Sequence, residues 1–167
     1  MLLYHPYKDS NHCIFRMLTI ISEIEMSIEL EKLKVLDFYY LFPHFIKDLD
    51  SWPRDYLLYK KEAKLIPEPF EKTPNKKKLF FELEKIQNQA ITKLSAREIL
   101  SLDSVKNGFI RLNQLKISNN LLSRIEKEKK KNATTVGLVS NCLSKFEWKG
   151  DHGLKKRSGL MEYKYDE

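Results

Sequence analysis

A chain of 167 residues with 42% hydrophobic and 32% charged positions can bury one full core and reads as a soluble globular protein. Its 5 glycines and 6 prolines are too few for a turn-rich all-β fold, and no apolar run approaches the roughly 20 residues that span a bilayer. The formal charge of +7 admits phosphate-bearing partners, since fixed cations release counterions from nucleic acid, and equally admits a plain lysine-rich surface.

Residues 1–9, MLLYHPYKD, are apolar and aromatic ahead of any helix signal, whereas a disordered tail would be polar. They are expected to dock on the chain's own domain or on a partner. No basic region followed by a long apolar one opens the chain, so no secretory signal is read and a cytoplasmic location is expected. Asp9, Ser10 or Asn11 can cap the helix that follows, where Ile14, Met17, Leu18, Ile21, Ile24 and Ile28 recur at helical spacing. Ser27, with Glu29 and Glu31 close behind, is a second start signal, because acidic side chains suit the positive end of a helix dipole.

The densest apolar stretch is 33–45, and it predicts a central core helix over 29–42. Leu33, Leu36 and Tyr40, with Phe38, Leu41 and Phe42 one place offset, make an arc too wide for contact with a single neighbour. Pro43 lacks a backbone donor and clashes with the preceding turn, so the helix stops or bends there. A short helix at 45–49 and a charged one at 54–63 follow. Pro67, Pro69 and Pro74 then mark an exposed connection, which Ile66 and Phe70 within it are expected to pack against another part of the protein.

The segment 79–94 carries Leu79, Phe80, Leu83, Ile86, Ile91 and Leu94 at helical spacing. Ser95 with Glu98 matches a capping box for a short helix reaching 102. Asn107-Gly108 signals a turn before a short strand at 109–112. Helices are expected over 118–131, ending in a charge run and broken by Asn132, and over 133–146. A glycine-containing corner follows at 150–154, and Met161, Tyr163 and Tyr165 alternate with polar neighbours as a strand does. The expected fold is mainly α with minor β, a helical domain closing in a winged-helix-like helix–helix–β-hairpin. Its expected organisation is an N-terminal helical region over 1–63, a linker over 64–78 and a C-terminal region over 79–167 that forms one compact unit with 29–42.

No glycine-rich phosphate loop, zinc-protease helix motif or serine-nucleophile elbow occurs, so no catalytic set, cofactor or metal is expected and the chain reads as a non-enzyme. His5, His12, His44 and His152 are scattered, and His12 and Cys13, being adjacent, point about 100° apart on a helix. Cys13 and Cys142 read as small buried hydrophobes and not as a disulfide. Of two basic clusters, 127–131 ends a helix, where the dipole favours cations. The other, Lys155, Lys156 and Arg157, falls at the wing tip of the winged-helix reading and is the candidate contact to double-stranded DNA phosphates.

Three stretches carry a resemblance: Leu3-Tyr4-His5-Pro6-Tyr7 with Phe15-Arg16-Met17-Leu18, Leu36-Asp37-Phe38-Tyr39-Tyr40-Leu41-Phe42-Pro43-His44, and 153–163, GLKKRSGLMEY. Together they resemble the middle components of ABC-three-component systems, bacterial antiphage defence operons of which Lamassu-type systems are the best-known kind. Ser158 stands where threonine is expected. The resemblance implies a non-catalytic accessory subunit that bridges an SMC-like coiled-coil ATPase and a nuclease-type effector, with DNA contact included. It makes Tyr4, Tyr7, Trp52, Tyr56 and Tyr59 candidate partner-interface anchors, because aromatics bury large area at low entropic cost; core packing is the competing reading. The alternative function is a stand-alone winged-helix DNA-binding regulator that reads DNA with 133–146. That helix would point Thr134, Thr135, Ser140, Asn141, Ser144 and Lys145 outward, a set poor in the long cations that read guanine edges.

Overall fold

Every residue from 32 to 40 is buried on the helix α2 (Leu30–Leu41), so no face of it is left to solvent over those two and a half turns. The computed structural model describes residues 5–162 and surrounds α2 with α1 (Ser10–Ser22) and α4 (Lys76–Ala96), which also pack on each other. The wide apolar arc read from the sequence is thus realised as contact on all sides. A further helix, α6 (Asn119–Lys131), lies along α1, and the short α3 (Leu57–Lys64) packs on a 3-10 segment, Pro43–Asp48. One hydrophobic cluster runs from Cys13 to Met161 through all of these elements.

Local chemistry sets the helix ends. The Asp9 carboxylate accepts from the backbone N–H of Asn11 at 2.8 Å, and Ser118 and Asn75 cap α6 and α4 in the same way. Phe42 leaves the helical region at φ −124°, ψ 64° immediately before Pro43, which ends α2 as its missing N–H requires. At the other end of α2, the Leu30 N–H donates to the Gly108 carbonyl at 2.8 Å. Gly108 takes φ +80°, a conformation glycine adopts without strain. This turn follows α5 (Leu102–Lys106) and leads into a two-residue antiparallel pairing of β1 (Ile28–Glu29) with β2 (Phe109–Ile110), Ile28 opposite Ile110.

Mainly α with minor β is what the structure has, yet several local expectations are corrected. Ser95 does not start a helix; it lies buried in the last turn of α4, and its carbonyl accepts from the Glu98 N–H at 3.0 Å. The expected helix over 133–146 is broken into α7 (Ala133–Val136), a π-helical turn Gly137–Cys142 and a 3-10 turn Leu143–Lys145. That stretch packs against α1, α2 and α3, and Ser140, expected to point outward, is buried with its hydroxyl donating to the Ile20 carbonyl at 3.4 Å. Lys155, Lys156 and Arg157 stand on a helix, α8 (Leu154–Ser158), and not in a turn between strands. Among the described residues no strand follows α6; of the expected last strand, Tyr163 and Tyr165 lie outside the described residues.

The core holds a polar knot. Arg16 on α1 donates from Nε to Asp37 Oδ1 at 2.7 Å and from an Nη to Oδ2 at 3.1 Å, with the arginine 2% and the aspartate 0% exposed. Gln87 on α4 donates to Asp37 Oδ2 at 3.0 Å and to the Lys34 carbonyl at 2.9 Å. Burial opposes the Arg16 charge, but the facing carboxylate outweighs it and holds the guanidinium pKa above its ordinary value. Asp37 therefore joins α1, α2 and α4 at one point.

Asp37→Ala leaves the Arg16 guanidinium buried without its counter-ion, and we expect a loss of about 3–5 kcal/mol in urea unfolding. Gly153, on the corner before α8, has no room for a side chain, because a Cβ would overlap the Trp148 and Lys149 carbonyls; Gly153→Ala should cost about 1–3 kcal/mol by the same assay. His12 takes a 2.7 Å hydrogen bond from Arg16 on Nδ1, which fixes it as neutral. Burial first and the Arg16 charge second lower its pKa from 6.5, although Asp9, Glu128 and Asp37 pull the other way. With the folded pKa depressed, the unfolded chain binds the proton first, so stability is full above pH 6.5 and falls as pH drops through the folded value. Thermal melts between pH 7.5 and 5 should show that loss, and His12→Asn should reduce it.

Candidate partner-binding surface

The end of α2 and the segment after α3 face each other across an open groove of about 1120 Å³. On one side, Phe42, Pro43 and His44 form the corner that Pro43 imposes. Tyr7, half-buried on a 3-10 turn (Pro6–Lys8), lays its ring 6.2 Å from that of Phe42, which in turn packs 5.3 Å from Phe38 of the core. On the other side run Leu65, Ile66 and the prolines 67, 69 and 74. Thr134 and Thr135 of α7 close one end.

The segment 65–74 has no regular structure, yet it is tied to the corner. Lys47 donates to the Ile66 carbonyl at 3.1 Å and pairs with the Glu68 carboxylate, while His44 Nε2 and Thr73 Oγ1 are 3.3 Å apart. Burial lowers the His44 pKa, so the ring is neutral at physiological pH and can share a proton with the hydroxyl in either sense.

Large apolar side chains lie bare in this groove and on α3. Phe70 is fully exposed, Leu65 is 84% exposed and Leu58 73%. Leu58 and Leu65 are two turns apart, so they share one face of α3 and its C-terminal cap. Phe70, expected from its apolar character to pack inward, does the opposite. Exposed large hydrophobes clustered with an open groove mark an interaction surface more often than chance placement does.

The sequence-derived anchors fall in three places. Trp52 is buried, edge-on to Phe146 with centroids 5.9 Å apart, and so belongs to the core. Tyr56 lies 5.2 Å from the same Phe146 ring and Tyr59 lies 6.4 Å from Tyr56, both half-buried, so these three form an aromatic cluster away from the groove. Tyr7 does line the groove, and Tyr4 lies outside the described residues. Sequence reasoning does not single out Leu58, Leu65 and Phe70 as anchors; the signal for them is three large apolar residues in and beside a proline-rich connection.

The three cations of α8 are largely engaged within the chain. Arg157 donates to the Ser51 carbonyl and, at 2.8 Å, to the Ser51 hydroxyl, while its own carbonyl accepts from the Asp50 N–H at 3.3 Å. Its guanidinium also lies 5.9 Å from the Phe146 ring. Lys156 pairs with Asp151 at 2.9 Å, and Lys155 is half-buried on the same helix. Arg157 thereby fastens α8 to the turn before Trp52, a structural task.

Other chemistry is sparse among the described residues. Cys13 and Cys142 are free and buried, and burial pushes the Cys142 thiol up to about 12, far from a reactive thiolate. Among the described residues no group of three or more His, Cys, Asp or Glu side chains is placed to hold a metal ion, and no helix is long and apolar enough to cross a membrane.

No curated protein and no solved structure matches the chain. One family does, over residues 2–166, and with nearly the whole sequence matched the chain belongs to it: it is an ABC-three component (ABC-3C) system Middle Component 5, one member of a multi-component system.

Proposed function

We propose that this protein is a non-catalytic accessory subunit of a bacterial antiphage defence complex, bridging an SMC-like coiled-coil ATPase and a nuclease-type effector in the cytoplasm. The observation that carries the reading is the bare apolar surface of Leu58, Leu65 and Phe70 on a chain whose family consists of components of larger systems. Exposing such side chains is unfavourable in an isolated protein, and a partner relieves it at roughly 25 cal/mol per Å² of apolar surface covered. The interior charged groups support a non-catalytic role, because Arg16 and Asp37 pair with each other and Lys32 donates to the Phe146 carbonyl, so their hydrogen bonds go to other elements of the fold. Contact with double-stranded DNA belongs to the same proposal through the net charge of +7, with less support from α8, whose Arg157 and Lys156 already have partners.

The regulator alternative has less support, since its reading helix is broken into α7, a π-helical turn and a 3-10 turn, and Ser140, expected to face outward, is buried.

The test is co-expression of the tagged chain with the ATPase and effector components of its own system, followed by size-exclusion chromatography and mass determination. A stable assembly containing this chain in fixed ratio is expected. Elution of the chain as a lone monomer with every combination of components overturns the proposal.

A further inference from the structure

We propose that the outward face of α6 is where this protein meets double-stranded DNA, holding the phosphate backbone through Arg124, Lys127, Lys130 and Lys131 without reading base sequence. The proposal rests on the DNA contact included in the reading above and assigns that contact to a helix other than α8.

Helical geometry makes the face. Ile125 is buried and Leu121 packs against the core beside it, on the side of α6 that meets α1. At about 100° per residue, Asn120, Ser123, Arg124, Lys127, Lys130 and Lys131 fall within an arc of roughly 120° on the opposite side. All six are exposed. The arc thus holds cations and hydrogen-bonding side chains and no apolar residue, the exposed Leu122 lying outside it.

The carboxylates of α6 do not cancel these charges. Glu126 stands at the edge of the arc and is held by Lys129 at 2.9 Å, with a weaker attraction from Lys130. Lys129 also pairs with Glu23, at the end of α1, at 2.7 Å. Glu128 faces inward, where it accepts from Tyr40 and Asn132. Lys127, Lys130 and Lys131 make no ion pair with the described residues. Arg124 lies 5.4 Å from the Phe15 ring, a contact that uses the flat of the guanidinium and leaves its in-plane N–H groups to donate. The helix dipole accounts for cations in the last turn only, and Arg124 and Lys127 precede that turn.

Such a face fits an extended polyanion. From Arg124 to Lys131 it runs about 10 Å, the length over which one DNA strand presents about three phosphates. A lipid-binding helix turns its apolar side into the bilayer, whereas that side of α6 is spent on α1. A protein ligand needs apolar area to offset the cost of ordering it, and the arc offers none. Ammonium groups on flexible stems meet phosphates as point charges and select no base.

The test is fluorescence anisotropy of a labelled DNA duplex, in two unrelated sequences, titrated with the full-length chain at several salt concentrations. We expect equal affinity for both sequences and a log Kd that rises with log salt at a slope of about 3–4, since each phosphate neutralised contributes about 0.9. The triple variant Lys127→Gln, Lys130→Gln, Lys131→Gln should weaken binding at least about tenfold and lower the slope by about 2–3. Lys127→Arg, Lys130→Arg, Lys131→Arg keeps the charge and should bind as the unsubstituted chain does. A control triple on another surface, Lys61→Gln, Lys64→Gln, Lys72→Gln, removes the same net charge and should change the slope by less than about one. All six lysines are exposed, and circular dichroism verifies that the fold is retained.

A control triple that weakens binding as much as the α6 triple overturns the proposal, because net charge and not this face is then what DNA meets. Tighter binding to an RNA duplex of the same length, or capture by phosphatidylglycerol vesicles with no DNA bound, gives the face to another polyanion and overturns it as well. If DNA is bound and the α6 triple changes nothing, the assignment to α6 alone falls. If the chain binds no DNA at any salt, the DNA contact of the reading above falls with it, and the co-expressed assembly still decides the subunit role.

Discussion

The Arg16–Asp37 ion pair is the constraint on which the rest of this fold depends. Two opposite charges with almost no exposure are held at 2.7 Å between α1 and α2, and Gln87 brings α4 to the same carboxylate. A buried pair adds little net stability over well-packed apolar residues of equal volume, since desolvation consumes most of the attraction. What it adds is register. A leucine core tolerates a helix sliding by a fraction of a turn, whereas a bidentate arginine loses both hydrogen bonds on a shift of about an ångström. Asp37 thus specifies how three helices meet, and apolar burial around it supplies the driving force.

A helix enclosed on all sides has nowhere to send its other polar groups, and α2 shows the consequence along its length. Lys32 is 6% exposed and donates to the Phe146 carbonyl at 2.6 Å, which draws the C-terminal third of the chain onto the N-terminal end of α2. Burial lowers the pKa of its ammonium, yet the carbonyl and the nearby Glu29 charge favour the protonated form. Lys34 reaches Glu31 at 3.1 Å and Glu84 of α4 at 3.7 Å. Tyr40 donates to Glu128 of α6 at 3.1 Å, a carboxylate that also accepts from Asn132 at 2.7 Å and so helps to end α6. Lys32, Lys34, Asp37 and Tyr40 thus tie the central helix to the C-terminal region, to α4, to both α1 and α4, and to α6 respectively.

Much of this is legible from residue order, and the misses have physical causes. The core helix, its stop at Pro43, a cap among Asp9, Ser10 and Asn11 and the turn at Gly108 follow from rules acting within a few residues. The ion pair is not legible, because Arg16 and Asp37 are 21 residues apart and nothing local marks them as partners. The pairing of β1 with β2 involves two residues on each side, too few for a periodic signal. At the C-terminus, the alternation from Met161 suggests a strand, while Leu154 and Ser158, one helical turn apart and both buried, carry the signal of α8. Of the aromatic residues singled out on one criterion, Tyr7 lines the groove and Trp52 is buried in the core, because an aromatic ring serves a core and an exposed surface equally well. Phe70 reads as inward-packing for the same reason: apolarity is a property of the residue, and exposure is a property of the fold.

The interior and the groove are mechanically one system. The register that Asp37 imposes on α2 also sets where Phe42 and Pro43 emerge from it, since they follow 5 and 6 residues later on the same rigid helix and its cap. Phe38 packs against Phe42, Phe45 and, edge-on, Phe80 of α4, so the corner is seated in the core and does not swing on the end of the helix. His44 and Lys47 then leave that corner to hold Thr73, Ile66 and Glu68. A segment of ten residues without helix or strand would ordinarily sample many conformations, and an apolar side chain on it would make a poor anchor. Here its position is inherited from the core through two side chains, which is how Phe70 comes to be both fully exposed and well placed.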